Sequence, residues 1–314
     1  MAKIDDAGDP RTYAEAMMRP DATEWEAACE AEKRVFEHMG VYEVVPRPKG
    51  RKIVGSRWVF RIKRGPDGAI LKYKARIVAQ GFTQIEGVDY DETFAPVAKL
   101  TSLRVILALT AEHDLEVHQM DVKSAYLNGE LKEEIYMEPP PGFSTPEGMV
   151  FRLVKAVYGT KQGGCVWYED IRGTLEEMGY RHTEADHAVF IRTTDSFPSI
   201  LALYVDDITM ASKDISSIEQ DKKKLKARYQ MTDMGEISWI LGIRVTRDQR
   251  AGWVALSQEK YILEVLERFG KSDARPITTP ALANERLTKL PSPEIEAKSY
   301  QSAVGALMYQ MLGT

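Results

Sequence analysis

Four residues, Tyr204-Val205-Asp206-Asp207, constrain this chain more than any other feature. An apolar run, Ile200-Leu201-Ala202-Leu203-Tyr204-Val205, delivers two adjacent carboxylates, and a second, Ile208-Thr209-Met210-Ala211, leaves at once. That pattern predicts a β-hairpin with acids at its tip. An ordinary turn is the plain alternative, because Asp side chains satisfy nearby backbone groups. Turns flanked in this way, however, favour Asn-Gly or Asp-Gly, which accept positive φ. Two like charges on the rim of a buried sheet repel each other, and a divalent cation between them makes the arrangement tolerable.

Asp121 occupies a similar place. It lies within Val117-His118-Gln119-Met120-Asp121-Val122-Lys123-Ser124-Ala125-Tyr126-Leu127-Asn128-Gly129, where a predicted strand over 115–120 stops. A third carboxylate beside Asp206 and Asp207 would supply hard oxygen ligands for two Mg²⁺ ions about 3.5–4 Å apart. Such a pair suits in-line phosphoryl transfer, one ion activating a hydroxyl and both stabilising the transition state. Clustering without metal would raise the pKa of at least one of the three acids. An exposed strand-end acid is the alternative for Asp121 taken alone.

The net charge of −5 does not by itself suggest a polyanionic partner, but its distribution does. Residues 47–76 carry eleven Lys/Arg against one acid, Asp67, a local net of +10. A solvated face is the bland reading of a charge run. Here the cations alternate with apolar residues through Trp58-Val59-Phe60-Arg61-Ile62-Lys63, so a β-ribbon would gather them on one side, as a phosphate backbone requires. Affinity for nucleic acid would then fall steeply with salt. Only two cysteines, Cys29 and Cys165, occur in 314 residues, which excludes a disulfide framework and a cysteine-built zinc site and fits a reducing compartment. No apolar run reaches the roughly 20 residues of a membrane helix, and the first residues lack a signal-peptide core.

Residues 1–20 read as a loose lead-in, and 22–39 as an amphipathic helix through Trp25, Ala28, Cys29, Ala31, Val35 and Phe36. Strands follow at 41–45, 53–63 and 69–78, the last two joined by the turn Gly65-Pro66-Asp67-Gly68. Helices are predicted at 100–113, capped by Thr101 or Ser102, and at 166–178, 216–229, 260–269 and 300–311. Further strands are predicted at 188–193, 199–205, 208–211, 237–245 and 253–256. Short strands and helices without regular βαβ alternation indicate an α+β fold.

Taken in order, several segments resemble the copia-type retrotransposon reverse transcriptase family. They are Trp58-Val59-Phe60, Tyr73-Lys74-Ala75-Arg76-Ile77-Val78-Ala79-Gln80-Gly81-Phe82, Asp89-Tyr90-Asp91-Glu92-Thr93-Phe94-Ala95-Pro96-Val97 and the segment from His118 to Gly129. Tyr158-Gly159-Thr160-Lys161-Gln162, the acidic tip, Leu241-Gly242-Ile243 and Ser302-Ala303-Val304-Gly305-Ala306-Leu307-Met308-Tyr309 complete the series, which runs from about Trp25 to the end. The resemblance implies a right-hand polymerase: fingers over 21–100 with a basic hairpin at 53–78, a palm over 101–246 with a fingers segment near 130–165, and a thumb over 247–314, C-terminally truncated and without connection or ribonuclease H segments. It implies RNA-directed and DNA-directed DNA synthesis from a primer 3′-OH and dNTPs. Metal binding passes to Asp121, Asp206, Asp207 and the Val122 carbonyl, for two Mg²⁺ with Mn²⁺ as a substitute. Nucleotide contacts pass to Lys74, Arg76, Ser124, Ala125, Tyr126, Gln162 and Gly163, with Tyr126 as a steric gate against ribose. Primer and template contacts pass to Tyr204, Ile240, Leu241, Gly242, Arg57 and Arg61. The implied setting is intracellular, a cytoplasmic virus-like particle with a nuclear phase, and oligomeric state is left open.

Where many family members read Leu-Lys-Gln-Ala-Pro-Arg, this chain reads Thr160-Lys161-Gln162-Gly163-Gly164-Cys165, which keeps the Gln but alters the loop. Cys165 reads as packing, and His113, His118, His182 and His187 as structural or surface residues. A nucleic-acid-binding remnant without catalysis is the alternative function; the early stop favours it and the three retained acids oppose it. A metal-dependent nuclease explains neither Tyr126 nor the fingertip cations.

Overall fold

The protein is described here by a computed structural model, which covers residues 8–65, 68–194, 197–279 and 297–313. Helices α1 (Tyr13–Met18) and α2 (Ala22–His38) precede strands β1 (Tyr42–Pro46) and β2 (Ile53–Val54) and a long ribbon, β3 (Ser56–Arg64) with β4 (Ile70–Ala79). Helix α3 (Leu100–His113) leads into β5 (Glu116–Val122), followed by β6 (Glu130–Met137), β7 (Met149–Lys155) and α4 (Gly163–Glu177). Next come β8 (Arg181–His182), β9 (Val189–Arg192), β10 (Ser199–Tyr204), β11 (Asp207–Ser212) and α5 (Ile215–Arg228). The chain then forms β12 (Met231–Glu236), β13 (Trp239–Ile240), β14 (Ile243–Asp248), β15 (Trp253–Ser257), α6 (Glu259–Arg268) and α7 (Ala297–Gly313). The fold is α+β, as the sequence indicates.

A six-stranded sheet in the order β12-β5-β11-β10-β9-β8, antiparallel throughout, carries the acidic residues. Its centre is apolar on both faces: Ile200, Leu201, Ala202 and Leu203 of β10 are all buried, with Ile208, Met210 and Ala211 of β11 beside them. Helices α3, α4 and α5 supply Leu103, Ile106, Leu107, Trp167, Ile171, Leu175, Ile218 and Leu225 to the same core. Burying so much apolar area is the main stabilising contribution, at about 25 cal/mol per Å².

A second core gathers around the ribbon. Directly opposed residues share a face, so Trp58 with Ile77, Phe60 with Ala75 and Ile62 with Tyr73 form an apolar side. Trp25 of α2 meets Phe60 and Tyr73 edge-on at 5.2 and 4.7 Å, which seats the helix on that side. The Trp58 indole donates to Pro141 O at 2.8 Å. Strands β6 and β7 return from the central sheet to join β1 and β2 in a four-stranded sheet, β1-β7-β6-β2.

Four expectations need correction. Residues 8–20 are not a loose lead-in: Thr12 caps α1, Ala16 is fully buried, and Asp9 accepts from the Ile62 N–H at 2.7 Å; residues 1–7 lie outside those described. Helix α3 starts at Leu100 and is not capped by Thr101 or Ser102. A distant acid takes that role, since Asp186 Oδ2 accepts from the Lys99 N–H at 2.8 Å and from Ser102 Oγ at 2.6 Å. Strands β6, β7 and β12 add to the expected set: Lys and Glu mask the alternation of β6 and Asp and Gly that of β12, whereas β7 is a mostly apolar run after the Pro/Gly loop that the sequence reading leaves unassigned. A boundary at 246 falls inside β14, which pairs with β13 and β15, so the unit beyond the central sheet begins near Trp239. Of the turn Gly65-Pro66-Asp67-Gly68, residues 66 and 67 lie outside those described.

Candidate active site at the hairpin tip

Strands β10 and β11 pair from Ile200 with Ala211 to Tyr204 with Asp207, leaving Val205 and Asp206 as a two-residue loop. Val205 has φ +57, a conformation that Gly adopts freely and a β-branched residue does not. Such a residue costs on the order of 1–3 kcal/mol and persists only where its surroundings hold it. Two bonds do so here: the buried Trp167 indole donates to Val205 O at 2.7 Å, and the Val122 N–H donates to Asp206 O at 2.8 Å.

The second bond joins the tip to β5. Register then places Asp121 directly opposite Asp207, with Thr232 of β12 opposite Asp121 on its other side. Opposed Cα atoms in an antiparallel pair are about 4.5–5.5 Å apart, so the two carboxylates share one face of the sheet, with Asp206 adjoining. Their crowding is electrostatic. Asp207 keeps solvent access along part of its side chain, yet partial burial, then Asp206, then Asp121 push its pKa up to about 6. Asp121 is also raised, by burial first and Asp206 second, while Lys74, Lys63 and Lys123 pull the other way. Among the described residues, no set of three or more His, Cys, Asp or Glu side chains is already disposed around an ion position. The donor set nonetheless suits a hard divalent cation, being all carboxylate oxygen from adjoining positions.

Over the tip lies a cleft of about 760 Å³, walled by α2, the free side of β4 and the turn after β5. It brings together Lys74, Arg76, Asp121, Val122, Ser124 and Asp206 of the expected site residues. Opposed pairs Arg61 with Lys74 and Lys63 with Lys72 put the cations on the ribbon face away from Trp58 and Phe60. Burial lowers the Lys74 pKa, helped by Arg76 and Lys63 and opposed by Glu32 and Asp121. Ser124 takes φ +53 and starts the 3-10 turn Ala125–Asn128, which carries Tyr126. The Tyr126 hydroxyl is raised by burial and by Asp206 and lowered by Arg76. A second recess, about 270 Å³, joins Tyr204 and Asp207 to Ile240, Leu241 and Gly242. Leu241 (φ +50) and Gly242 (φ +77) turn β13 into β14, and the Tyr309 hydroxyl donates to Leu241 O.

Other expected residues stand elsewhere. Ala125 is buried and does not line the cleft. Gln162 is 2% exposed and both ends of its amide are used within the protein: Oε1 accepts from Gln84 Nε2 at 3.1 Å and Nε2 donates to Asp89 O at 2.8 Å. Gly163 opens α4 beside it, where a Cβ would lie 2.7 Å from Thr160 Oγ1. Arg57 is exposed on the ribbon, and Arg61 pairs with Asp9 at 2.9 Å. Lys63 and Lys72, which the sequence places in the basic ribbon without naming them as nucleotide contacts, also line the cleft; sequence reasoning missed Glu32, Gln230 and Thr232, which only tertiary contact brings there.

A family model described as reverse transcriptase (RNA-dependent DNA polymerase) matches residues 39–283. The chain belongs to the reverse transcriptase family, of the copia type. It is 40% identical to the Retrovirus-related Pol polyprotein from transposon TNT 1-94 of Nicotiana tabacum, across 99% of this chain and 24% of that protein. It is 34% identical to the Retrovirus-related Pol polyprotein from transposon RE1 of Arabidopsis thaliana, across 96% of this chain and 20% of that protein. The chain thus spans about a quarter or less of these curated relatives. A solved foamy viral protease-reverse transcriptase in complex with double-stranded DNA is similar at a TM-score of 0.43 and 13% identity, over 90% of this chain and 40% of that one. The family match begins after α2, so one wall of the cleft comes from outside it. Among the described residues, no helix is long and apolar enough to cross a membrane.

Proposed function

We propose that this reverse transcriptase domain is a nucleotidyltransferase that extends a nucleic-acid primer with dNTPs on an RNA or DNA template. One observation carries the reading: Asp121 and Asp207 are cross-strand partners, Asp206 adjoins them at the hairpin tip, and Lys74 and Arg76 share a cleft with Asp121 and Asp206. Asp121, Asp206 and Asp207, with the Val122 carbonyl, would hold two Mg²⁺, for which Mn²⁺ is a substitute. When bound, the ions lower the barrier to attack by the primer 3′-hydroxyl and offset charge on the phosphoryl group.

This chain's own residues supply the rest. Lys74 and Arg76 orient the triphosphate through charge-assisted contacts, and Lys63 and Lys72 extend the same positive wall. Ser124 offers its backbone beside the acids, and Tyr126 crowds a ribose 2′-hydroxyl. Tyr204, Ile240, Leu241 and Gly242 line the recess that receives the primer end, while Arg57 and Arg61 contact the template backbone along the ribbon. Gln162 and Ala125 act behind the cleft rather than in it. In family terms the ribbon, α2 and the β1-β7-β6-β2 sheet are fingers, the six-stranded sheet is the palm, and residues from near Trp239 onward belong to the thumb. The proposed setting is intracellular, in a retrotransposon virus-like particle.

Primer extension with Mg²⁺ and dNTPs tests this directly. Wild type should extend a primed RNA template, and Asp206→Asn should lose at least about a hundredfold in rate while binding primer–template as before. A wild-type chain that binds primer–template but does not extend it would refute the enzymatic reading in favour of a binding remnant.

A further inference from the structure

Tyr158 stands between two groups that the proposed reaction uses. Its ring meets Tyr126 edge-on, with centroids 4.9 Å apart, and the Arg76 guanidinium lies 4.6 Å from the same ring's centroid. Its backbone is fixed by a close crossing of two segments. Tyr158 O accepts from the Ala79 N–H at 2.7 Å, at the base of the ribbon. A Cβ on Gly159, whose φ is +88, would lie 2.2 Å from Ala79 O, and one on Gly81 would lie 2.0 Å from Gly159 O, so neither position admits a side chain. Just beyond, Gln84 Nε2 donates to Gln162 Oε1 at 3.1 Å, the Lys161 N–H donates to Gln84 Oε1 at 2.8 Å, and Gln162 Nε2 donates to Asp89 O at 2.8 Å. Gln84, Asp89 and Gln162 are all buried, and a buried hydrogen-bond network of this kind rigidifies the segments it joins.

We propose that Tyr158 is a positioning residue that holds the Tyr126 ring and the Arg76 guanidinium against one aromatic ring, and so couples sugar discrimination to triphosphate binding. This rests on the reading of Tyr126 as the gate and Arg76 as a triphosphate ligand. Aromatic edge contacts and cation–π contacts both have preferred directions, so one immobile ring orients both partners. Both contacts are made by the ring, so a phenylalanine preserves them. A leucine fills volume but offers no π face, and an alanine offers neither.

The test is single-nucleotide incorporation by the 314-residue chain, comparing kcat/KM for a dNTP with that for the matching rNTP. The dNTP KM, the primer–template Kd and the thermal midpoint are measured on the same preparations. Tyr158→Leu and Tyr158→Ala should each lower the dNTP-over-rNTP ratio about 3- to 10-fold and raise the dNTP KM about 2- to 5-fold, the size of one aromatic and one cation–π contact. Primer–template Kd should stay within about twofold, and Tyr158→Phe should match wild type in all four quantities, since both contacts belong to the ring. If Tyr158→Ala does not fold, Tyr158→Leu decides. A ratio unchanged in the leucine variant, while Tyr126→Ala relaxes it, overturns the proposal. A Tyr126→Ala chain that discriminates as wild type does would refute the gate reading beneath it, and the proposal with it.

Discussion

The Trp167 indole should be the clamp that keeps the acidic tip in its strained turn, and Trp167→Phe removes the donor while leaving an aromatic ring. Trp167 is 2% exposed, its Nε1–H donates to Val205 O at 2.7 Å, and its ring meets Tyr229 edge-on at 5.3 Å. Phenylalanine retains most of that ring contact but leaves the Val205 carbonyl without its partner, which costs about 1–3 kcal/mol. The smaller ring adds a packing loss of about 1 kcal/mol. Urea unfolding should therefore show a loss of roughly 2–4 kcal/mol at constant m-value. A displaced tip should lower kcat for primer extension about tenfold or more, because misplacement of reacting groups by about 1 Å suffices for a hundredfold. A Val205→Gly background discriminates packing from clamping. Glycine takes φ near +57 without strain, so the kcat loss caused by Trp167→Phe should shrink there. A stability loss below about 0.5 kcal/mol with kcat within twofold, or an equal kcat loss in both backgrounds, would refute the clamp.

Three further outcomes are expected. Burial tends to raise the Asp233 pKa, but bonds from Lys226, the Gly235 N–H and Lys222 outweigh it and hold it at about 2, so its contribution to stability is complete above the ordinary carboxylate range and is lost as pH falls toward 2. Asp233→Asn should flatten that limb of an acid-unfolding curve, and an unchanged limb would show that other carboxyls govern it. Trp25→Ala, which empties the contact between α2 and the ribbon, should destabilise by about 3–5 kcal/mol; a loss below 1 kcal/mol would mean that α2 is not seated on Phe60 and Tyr73 in solution. Primer–template affinity should fall by about a hundredfold between 50 and 200 mM salt if four phosphates are contacted along Arg57, Arg61, Lys63 and Lys72. A flat salt response would remove the ribbon from the binding surface.

Local pattern alone determined much of this protein. Apolar runs on both sides of Asp206 and Asp207 dictate a hairpin with acids at its tip, because a sheet core takes apolar strands and leaves charges at its rim. Alternation through Trp58–Lys63 dictates a two-faced ribbon, and helical spacing of Trp25, Cys29 and Phe36 dictates a buried stripe on α2. Tertiary structure decided what those elements meet. Strand order is not written in any one strand, so only the pairing of β11 with β5 sets Asp121 opposite Asp207. Thr101 and Ser102 look like caps within their own segment, yet Asp186 is the group that satisfies Lys99, since a hydrogen bond depends on distance in space and not on separation along the chain. For the same reason Gln162 sits in a motif that suggests nucleotide contact, while the fold buries it against Gln84 and Asp89. Strand β12 carries Asp233 and Gly235 and lacks a strand pattern; it exists because β5 offers an unpaired edge and α5 offers Lys222 and Lys226 to its acid.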